Sequence, residues 1–251
     1  NGTEQDSIVL RAKIPGQVIL NGTSSLRIAG SYLKVDGLYF KDGYARSGHV
    51  IEFRYNSNNL AQHCRLTNTA IIDYNPPNSN DNYKWISVYG KYNRVDHCYI
   101  EGKKHAGTTL VVWLNGTPNY HRIDHNHFGP RPPLGYNGGE TIRIGTSSYS
   151  LTDSYTTVEN NLFERCNGEI EIISNKSQRN VYQYNTFYEC EGTLTLRHGN
   201  FTTVDGNFFI GNQKSLTGGV RIIGEDQTVI NNYFVELNGS SLKSALPIMN
   251  G

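Results

Sequence analysis

Short segments in which apolar and polar residues alternate recur along the chain. Each segment has a β-branched or small residue, a polar pair and then an alternating apolar step, as in VDHCYI at 95–100, IDHNHF at 123–128 and VINNYF at 229–234. Because successive side chains of a β-strand point to opposite faces, this period of two indicates strands with one buried face. The pattern predicts an all-β protein built from many short strands.

One position of the recurring segment carries an asparagine or a cysteine. These residues are Cys64, Cys98, Asn126, Asn161, Asn185, Asn207 and Asn232. They are separated by 34, 28, 35, 24, 22 and 25 residues. A period of about 22–25 residues fits one coil of a parallel β-helix, whereas the LxxLxL signature of a leucine-rich repeat is missing. The spacing therefore predicts one right-handed, single-stranded parallel β-helix domain over residues 1–251, with an asparagine ladder along its axis.

Composition narrows the possible functions. With 26 glycines, only 18% charged residues and many asparagines, the chain is poorly suited to long helices. The net charge of +1 favours no partner, and the absence of a basic helix or a zinc-finger spacing argues against nucleic acid. No apolar run approaches the roughly 20 residues of a membrane span. Four cysteines without a CxxC pair argue against a zinc site and against a disulfide scaffold.

A second strand in each of four consecutive coils carries charged residues. Alternation is expected to turn four residues inward, namely Ile142, Ile170, Leu194 and Val220. It predicts one outward column of Thr141, Glu169 and Thr193, and a second of Arg143, Glu171, Thr195 and Arg221, with Arg197 level with Ile173. A solvated face with cross-strand ion pairs would explain any one of these residues. Both charge signs on one face, beside the insertion 129–139, indicate a binding or catalytic site.

Acidic residues on this face suggest two kinds of chemistry. Glu169 and Glu171 lie two positions apart on a strand, about 6.5–7 Å, and an oxygen of Asn137 would complete an all-oxygen site for Ca²⁺. A pair of glycosidase carboxyl groups remains an alternative, because their spacing does not exclude it. Nearby, the run Lys103-Lys104-His105 is either a further anion-binding segment or a solvated loop.

Four segments of the chain resemble polysaccharide lyase family 6, the group that contains alginate lyases and chondroitinase B. The segments are NGGETIRIG at 137–145, NGEIEIISNKS at 167–177, LTLRHGN at 194–200 and GGVRIIG at 218–224. The resemblance extends over almost the whole chain. It implies a calcium ion held by Asn137, Glu169 and Glu171, with Lys176 as catalytic base and Arg197 as catalytic acid.

The resemblance also implies a substrate and a reaction. Family members cleave acidic, uronate-containing polysaccharides by calcium-assisted β-elimination, which leaves a 4,5-unsaturated uronate. The residues expected to bind the sugar are Arg143, His198 and Arg221, with Tyr136 stacking on a ring. Alginate is the first expectation and dermatan sulfate the second. A non-catalytic β-helix that binds carbohydrate is the alternative from another class.

Location and chain ends are expectations drawn from the same resemblance. A polysaccharide lyase of this kind is expected to be secreted or periplasmic, although the chain shows no signal peptide. Family members usually begin further upstream and continue past Gly251. We therefore expect the sequence to be shortened at both ends relative to the family.

Overall fold

Short parallel strands wind into coils that stack along one axis. The computed structural model describes residues 1–250, and Gly251 lies outside the described residues. Each coil contributes one strand to each of three nine-stranded parallel sheets. The predicted parallel β-helix is therefore confirmed. No helix within residues 1–250 has the length and apolar character needed to cross a membrane.

The three long sheets, here called sheets 1, 2 and 3, follow one another around each coil. Sheet 1 contains Ile8–Arg11, Leu33–Asp36, Arg65–Thr67, Arg94–Asp96, Arg122–Asp124, Thr157–Glu159, Val181–Gln183, Thr203–Asp205 and Thr228–Ile230. Sheet 2 contains Val18–Gly22, Leu38–Gly43, Ala70–Ile72, Tyr99–Glu101, His127–Phe128, Leu162–Glu164, Thr186–Tyr188, Phe208–Ile210 and Tyr233–Val235. Sheet 3 contains Leu26–Arg27, His49–Glu52, Lys84–Val88, Leu110–Val112, Ile142–Gly145, Glu171–Lys176, Gly192–His198, Thr217–Ile223 and Ile248–Met249.

Smaller elements complete the fold. Gly30–Ser31 and Ala61–Gln62 form a two-stranded parallel sheet. Single 3-10 turns occur at Ser147–Tyr149 and Ser241–Lys243. All four cysteines are free and buried, as expected for thiols that serve as small apolar residues.

Asparagine side chains form the predicted ladder at the turn between sheets 1 and 2. The Asn185 carboxamide oxygen accepts hydrogen bonds from the backbone N–H of Asn161 at 3.0 Å and from its side chain at 3.0 Å. Asn185 in turn donates to the Asn207 side chain at 2.9 Å, and Asn207 donates to Asn232 at 2.9 Å. Each amide therefore satisfies backbone groups that the turn leaves without a strand partner.

Cys64 does not belong to this ladder, contrary to the alignment made from the sequence. Leu66 pairs with Val95, so the residue level with Cys98 is Thr69, 29 positions before it (98 − 69). The Cys64 N–H instead donates to the Asn93 side chain at 2.8 Å, at the turn between sheets 3 and 1. The segment AQHCRL imitates the recurring pattern, but its strand begins only at Arg65.

The columns predicted for sheet 3 are also wrong in their register. Ile142 pairs with Ile173 rather than Ile170, and Ile173 pairs with Leu194. Both Ile172 and Ile173 are buried, because a β-bulge after Glu171 inserts one residue. The continuous outward row is therefore Arg143, Ser174, Thr195 and Arg221. Glu171 pairs with Thr193, and Glu169 precedes the strand instead of sharing a column with Thr141.

Arg197 owes its position to a second bulge. Asn175 pairs with Leu196, but the next residue, Lys176, pairs with His198. Arg197 is thus the extra residue of the strand, rather than level with Ile173 as alternation predicts. A bulge bends a strand locally and redirects a side chain, and here it lies beside the charged face.

Candidate active site

A cleft of about 700 Å³ opens along sheet 3 beside the insertion 129–139. Eight of the nine residues predicted for the site line it, namely Tyr136, Asn137, Glu169, Glu171, Lys176, Arg197, His198 and Arg221. Its volume lies within the range usual for ligand-binding sites. Stacking of the coils has thus brought residues separated by up to 85 positions (221 − 136) onto one surface.

Glu169 is a half-buried carboxylate at the foot of the insertion. Its Oε2 accepts hydrogen bonds from the backbone N–H of Gly138 at 2.8 Å and of Gly139 at 3.3 Å. Burial raises the pKa of Glu169 to about 7, the nearby Glu140 carboxylate adds to the rise, and Glu171 contributes a smaller part. This carboxylate lacks a full positive counter-charge, which is the condition that a bound cation would relieve.

Glu171 lies between two arginines. The Arg221 guanidinium donates to Glu171 Oε1 at 2.9 Å, and Arg197 Nε lies 3.6 Å from the same oxygen. Both arginines line the cleft, with Arg221 almost fully buried and the side chain of Arg197 41% exposed. Arg221 therefore fixes the carboxylate, while Arg197 is available to the cleft.

Lys176 and His198 lie side by side on adjacent strands of the cleft. Burial lowers the pKa of His198, and the positive charges of Arg197 and Lys176 lower it further, so the imidazole is neutral at neutral pH. Within residues 1–250 the Lys176 ammonium forms no hydrogen bond or ion pair. The Lys176 ammonium is therefore available to a ligand in the cleft.

Arg143 is the predicted site residue that does not line the cleft. Its guanidinium lies over the ring of Trp113, 5.2 Å from the centroid, and 4.0 Å from a Glu140 carboxylate oxygen. Trp113 and Glu140 had no role in the sequence interpretation. Glu140 stands within the segment 137–145, so its place beside the acidic pair could have been considered, whereas Trp113 offered no signal.

A buried arginine supports the insertion that carries Asn137. Arg131 donates to the carbonyl oxygens of Glu140 at 2.7 Å and Gly107 at 3.0 Å, and it is only 4% exposed. A side chain at Gly139 would place its Cβ 2.3 Å from the Gly168 carbonyl oxygen, so the two coils meet only as glycines. Sequence reasoning missed Arg131, because one arginine in a loop looks like a surface residue until the coils are stacked.

Lys103 and His105 form neither an anion-binding segment nor a solvated loop. Both are buried, and the Lys103 ammonium donates to the carbonyl oxygens of His105 at 3.0 Å and Ala106 at 3.1 Å. Burial lowers the pKa of Lys103 well below its ordinary value. Only Lys104 of this run is exposed, where it pairs with Asp73 at 2.7 Å.

The oxygen atoms of Asn137, Glu169 and Glu171 fit a hard divalent cation. No group of three or more His, Cys, Asp or Glu side chains within residues 1–250 could hold a metal, so such a site requires an amide or water ligand besides the two carboxylates. Ca²⁺ accepts carboxylate and amide oxygens in flexible geometry. The raised pKa of Glu169 is the observation that favours a cation here.

The protein is a parallel β-helix, and one cleft on it contains an acidic pair, an unpaired lysine and an exposed arginine. The family model named Chondroitinase B matches residues 1–251. The chain therefore belongs to the chondroitinase B family, polysaccharide lyase family 6, which confirms the resemblance found in the sequence. No curated protein gives a significant sequence match.

Solved structures agree with this assignment. The PL6 family alginate lyase AlyGC is 52% identical with a TM-score of 0.98, covering 100% of this chain and 35% of its own. A mannuronic acid specific family 6 lyase from human gut microbiota is 40% identical with a TM-score of 0.94, covering 98% of this chain and 56% of its own. A PL6 alginate lyase in complex with a trisaccharide is 29% identical with a TM-score of 0.89, covering 96% and 53%. The chain thus spans about a third to a little over half of the proteins it matches.

Proposed function

We propose that this protein cleaves an acidic uronate-containing polysaccharide, alginate first, by β-elimination outside the cytoplasm. The observation that carries the proposal is the shared cleft, whose lining includes Lys176, Arg197, Asn137, Glu169 and Glu171. Family membership supports it, as do the similar structures described as alginate lyases.

Lys176 is the base of the proposed reaction. As a neutral amine it takes the proton from C5 of the sugar, the C5–H electron pair becomes the C4–C5 double bond, and the C4–O4 bond breaks. Arg197 donates a hydrogen bond to the departing O4. The proton that O4 needs comes from water or from the newly protonated Lys176, because a guanidinium does not readily release its own.

Asn137, Glu169 and Glu171 are the proposed calcium ligands. Calcium bound to them would supply Lewis-acid polarisation of the C6 carboxylate, which otherwise opposes the negative charge that develops at C5. The hydrogen bonds from Gly138 and Gly139 hold one Glu169 oxygen, and Arg221 holds one Glu171 oxygen. Each carboxylate is thereby oriented before the cation arrives.

Four residues are proposed to bind the sugar. Arg221 and His198 lie next to the lysine and the arginine in the cleft, and Tyr136, half exposed on the insertion, offers a ring for stacking. Arg143 lies one coil before Lys176, where its guanidinium can bind the carboxylate of a neighbouring sugar residue.

Dermatan sulfate is the second candidate substrate, because the matching family model carries the name Chondroitinase B. Both polymers contain 4-linked uronate residues, on which the proposed chemistry acts. A non-catalytic carbohydrate-binding protein would require neither Lys176 nor Arg197.

The decisive experiment measures the ultraviolet absorbance of the 4,5-unsaturated uronate on alginate and on dermatan sulfate. We expect a rise on alginate that EDTA abolishes and added calcium restores. Lys176→Ala should lower the rate about 10²–10⁴-fold, the usual contribution of a general base. Lys104→Ala, which removes an exposed lysine paired with Asp73, is the matched control and should leave the rate unchanged. Folded, calcium-loaded protein that releases no unsaturated product from either polymer would overturn the proposal.

A further inference from the structure

A second cavity, of about 520 Å³, lies where strands of sheet 3 end in coils nearer the N-terminus. Its lining includes Arg54, Tyr89, Lys91, Trp113 and Asn115. None of these residues belongs to the catalytic cleft. The cavity is comparable in volume to that cleft, yet the proposed reaction gives it no task.

Strand register connects the two cavities. Val88 pairs with Val112, and Val112 pairs with Ile144, so the residues that follow them, Tyr89, Trp113 and Gly145, stand in one row along the helix axis. Gly145 pairs with Lys176, which continues the row into the catalytic cleft. Trp113 is two coils before Lys176, or about 10 Å at the usual spacing of strands.

The row position between Trp113 and Lys176 carries no side chain of its own, and the Arg143 guanidinium lies beside it over the Trp113 ring. The position between them is Gly145, whose φ is +86°, and a Cβ there would lie 2.5 Å from the Lys176 carbonyl oxygen. An extended chain lying along the row from one cavity to the other would therefore pass the Arg143 guanidinium. The coil spacing is close to the length of one pyranose residue, so successive sugars would meet successive coils.

Two stacked aromatic rings lie between two guanidinium groups at the second cavity. The Arg54 guanidinium lies 3.8 Å from the centroid of the Tyr89 ring, Tyr89 stacks on Trp113 with centroids 5.8 Å apart, and Arg143 covers the other side of Trp113. Trp113 is held in place by a hydrogen bond from Nε1 to Ser87 Oγ at 3.2 Å. The side chains are thus arranged before any ligand binds, which reduces the entropy lost on binding.

The charges of this cavity favour an anion. Among the described residues no acidic one lines the cavity, and the Glu52 carboxylate beside Arg54 is paired with Arg54 at 2.6 Å and with Arg27 at 3.6 Å. Within residues 1–250 the Lys91 ammonium makes no ion pair. A carboxylated ligand in the cavity would supply an acceptor to it.

We propose that this cavity is a remote subsite that binds a uronate residue of the polysaccharide about two coils from Lys176. Arg54 and Lys91 bind the sugar carboxylate, and the ring lies against the exposed edges of Tyr89 and Trp113. This subsite rests on the proposed function, because it assumes that the ligand of the cleft is a polyuronate. Its consequence is that long chains bind more tightly than short ones.

The test uses Lys176→Ala, which is expected to bind without cleaving, and sodium oligomannuronates of two and of eight residues. Trp85 is fully buried and Trp113 is partly exposed, so quenching of tryptophan fluorescence reports on Trp113. We expect the octamer to quench the fluorescence and to bind more tightly than the dimer, which is too short to reach two coils from Lys176. Adding Arg54→Ala and Lys91→Ala should raise the octamer Kd roughly tenfold or more, since hydrogen bonds to charged groups contribute most, and should leave the dimer Kd unchanged.

Two further variants keep the result interpretable. Removal of Arg54 also breaks its ion pair with Glu52. Lys91 has no ion-pair partner in the described part of the chain, so Lys91→Glu reverses a charge without breaking an ion pair and should weaken octamer binding by itself. Arg179→Ala removes a guanidinium that lies 4.4 Å from the Phe201 ring outside both cavities, and should change neither Kd. Equal octamer affinity in the Lys91→Glu protein and its parent would overturn the subsite. The lyase assay is independent of this result, so a failure of the proposed function is recognised separately.

Discussion

Sheets 2 and 3 are built from the same coils, yet they differ in how regularly their side chains repeat and their strands pair. In sheet 2 a column of phenylalanines stacks through the core, with centroids 5.0, 4.7, 4.6 and 5.0 Å apart from Phe128 to Phe234. From Ala70 to Val235 its strands pair without a shift in register. In sheet 3 the register shifts beside Glu171, Lys176 and Gly192.

This difference teaches where stability and function reside in the coil. Identical residues in one column contact each other across every coil boundary, so each stabilises the next. Bulges interrupt that repetition and turn charged side chains toward the cleft, where they cannot all be paired. Mutations in sheet 2 should therefore mainly change the stability of the protein, and mutations in sheet 3 should mainly change ligand binding and catalysis.

The largest effect on stability is expected from the phenylalanine column. Phe187 is buried between Phe163 and Phe209, so Phe187→Ala should lower the free energy of unfolding by about 3–5 kcal/mol through lost burial and a cavity. Urea denaturation followed by circular dichroism measures this. Lys176→Ala in sheet 3 is the comparison and should change stability by less than about 0.5 kcal/mol, as partly exposed substitutions usually do. Equal losses in the two variants would abolish the distinction between the sheets.

A smaller loss is expected from the asparagine ladder. Asn185→Ala removes the acceptor of the Asn161 N–H and the donor to the Val158 carbonyl oxygen. Each buried group left unsatisfied costs about 1–3 kcal/mol, and the same denaturation experiment detects it. Asn59→Ala is the matched control, because Asn59 is exposed, and it should be nearly neutral. A neutral Asn185→Ala would show that water replaces the amide in the turn.

The smallest predicted effect concerns the pH dependence of calcium binding in sheet 3. Because the raised pKa of Glu169 is about 7, this carboxylate is ionised above pH 7 and binds a proton below it. Calcium must displace that proton, so its affinity should fall as the pH decreases through 7, by at most about tenfold per unit. Isothermal titration calorimetry at pH 8, 7 and 6 measures the change. Glu169→Gln should bind more weakly and without this slope, whereas an identical slope in that variant would assign the proton to another group.

The sequence was sufficient for the fold class because the asparagines and phenylalanines recur in it at the period of the coil. It also identified eight residues that line the cleft, because the segments around Asn137, Glu169, Lys176 and Arg197 resemble one family. It failed at Cys64, where a loop imitates the recurring pattern, and at Lys103 and His105, whose burial depends on neighbouring coils.

The sequence alone therefore determined the features that repeat from coil to coil. A periodic pattern shows which residues share a column even when the packing between coils is unknown. The tertiary structure decided everything that depends on the register between the strands of adjacent coils. Interstrand hydrogen bonds and packing set three such features. They are the bulge that makes Arg197 an extra residue, the buried position of Arg131 beneath the insertion, and the row from Trp113 through Gly145 to Lys176. A displacement of one residue reverses the direction of a side chain, and strict alternation along a strand cannot foresee it.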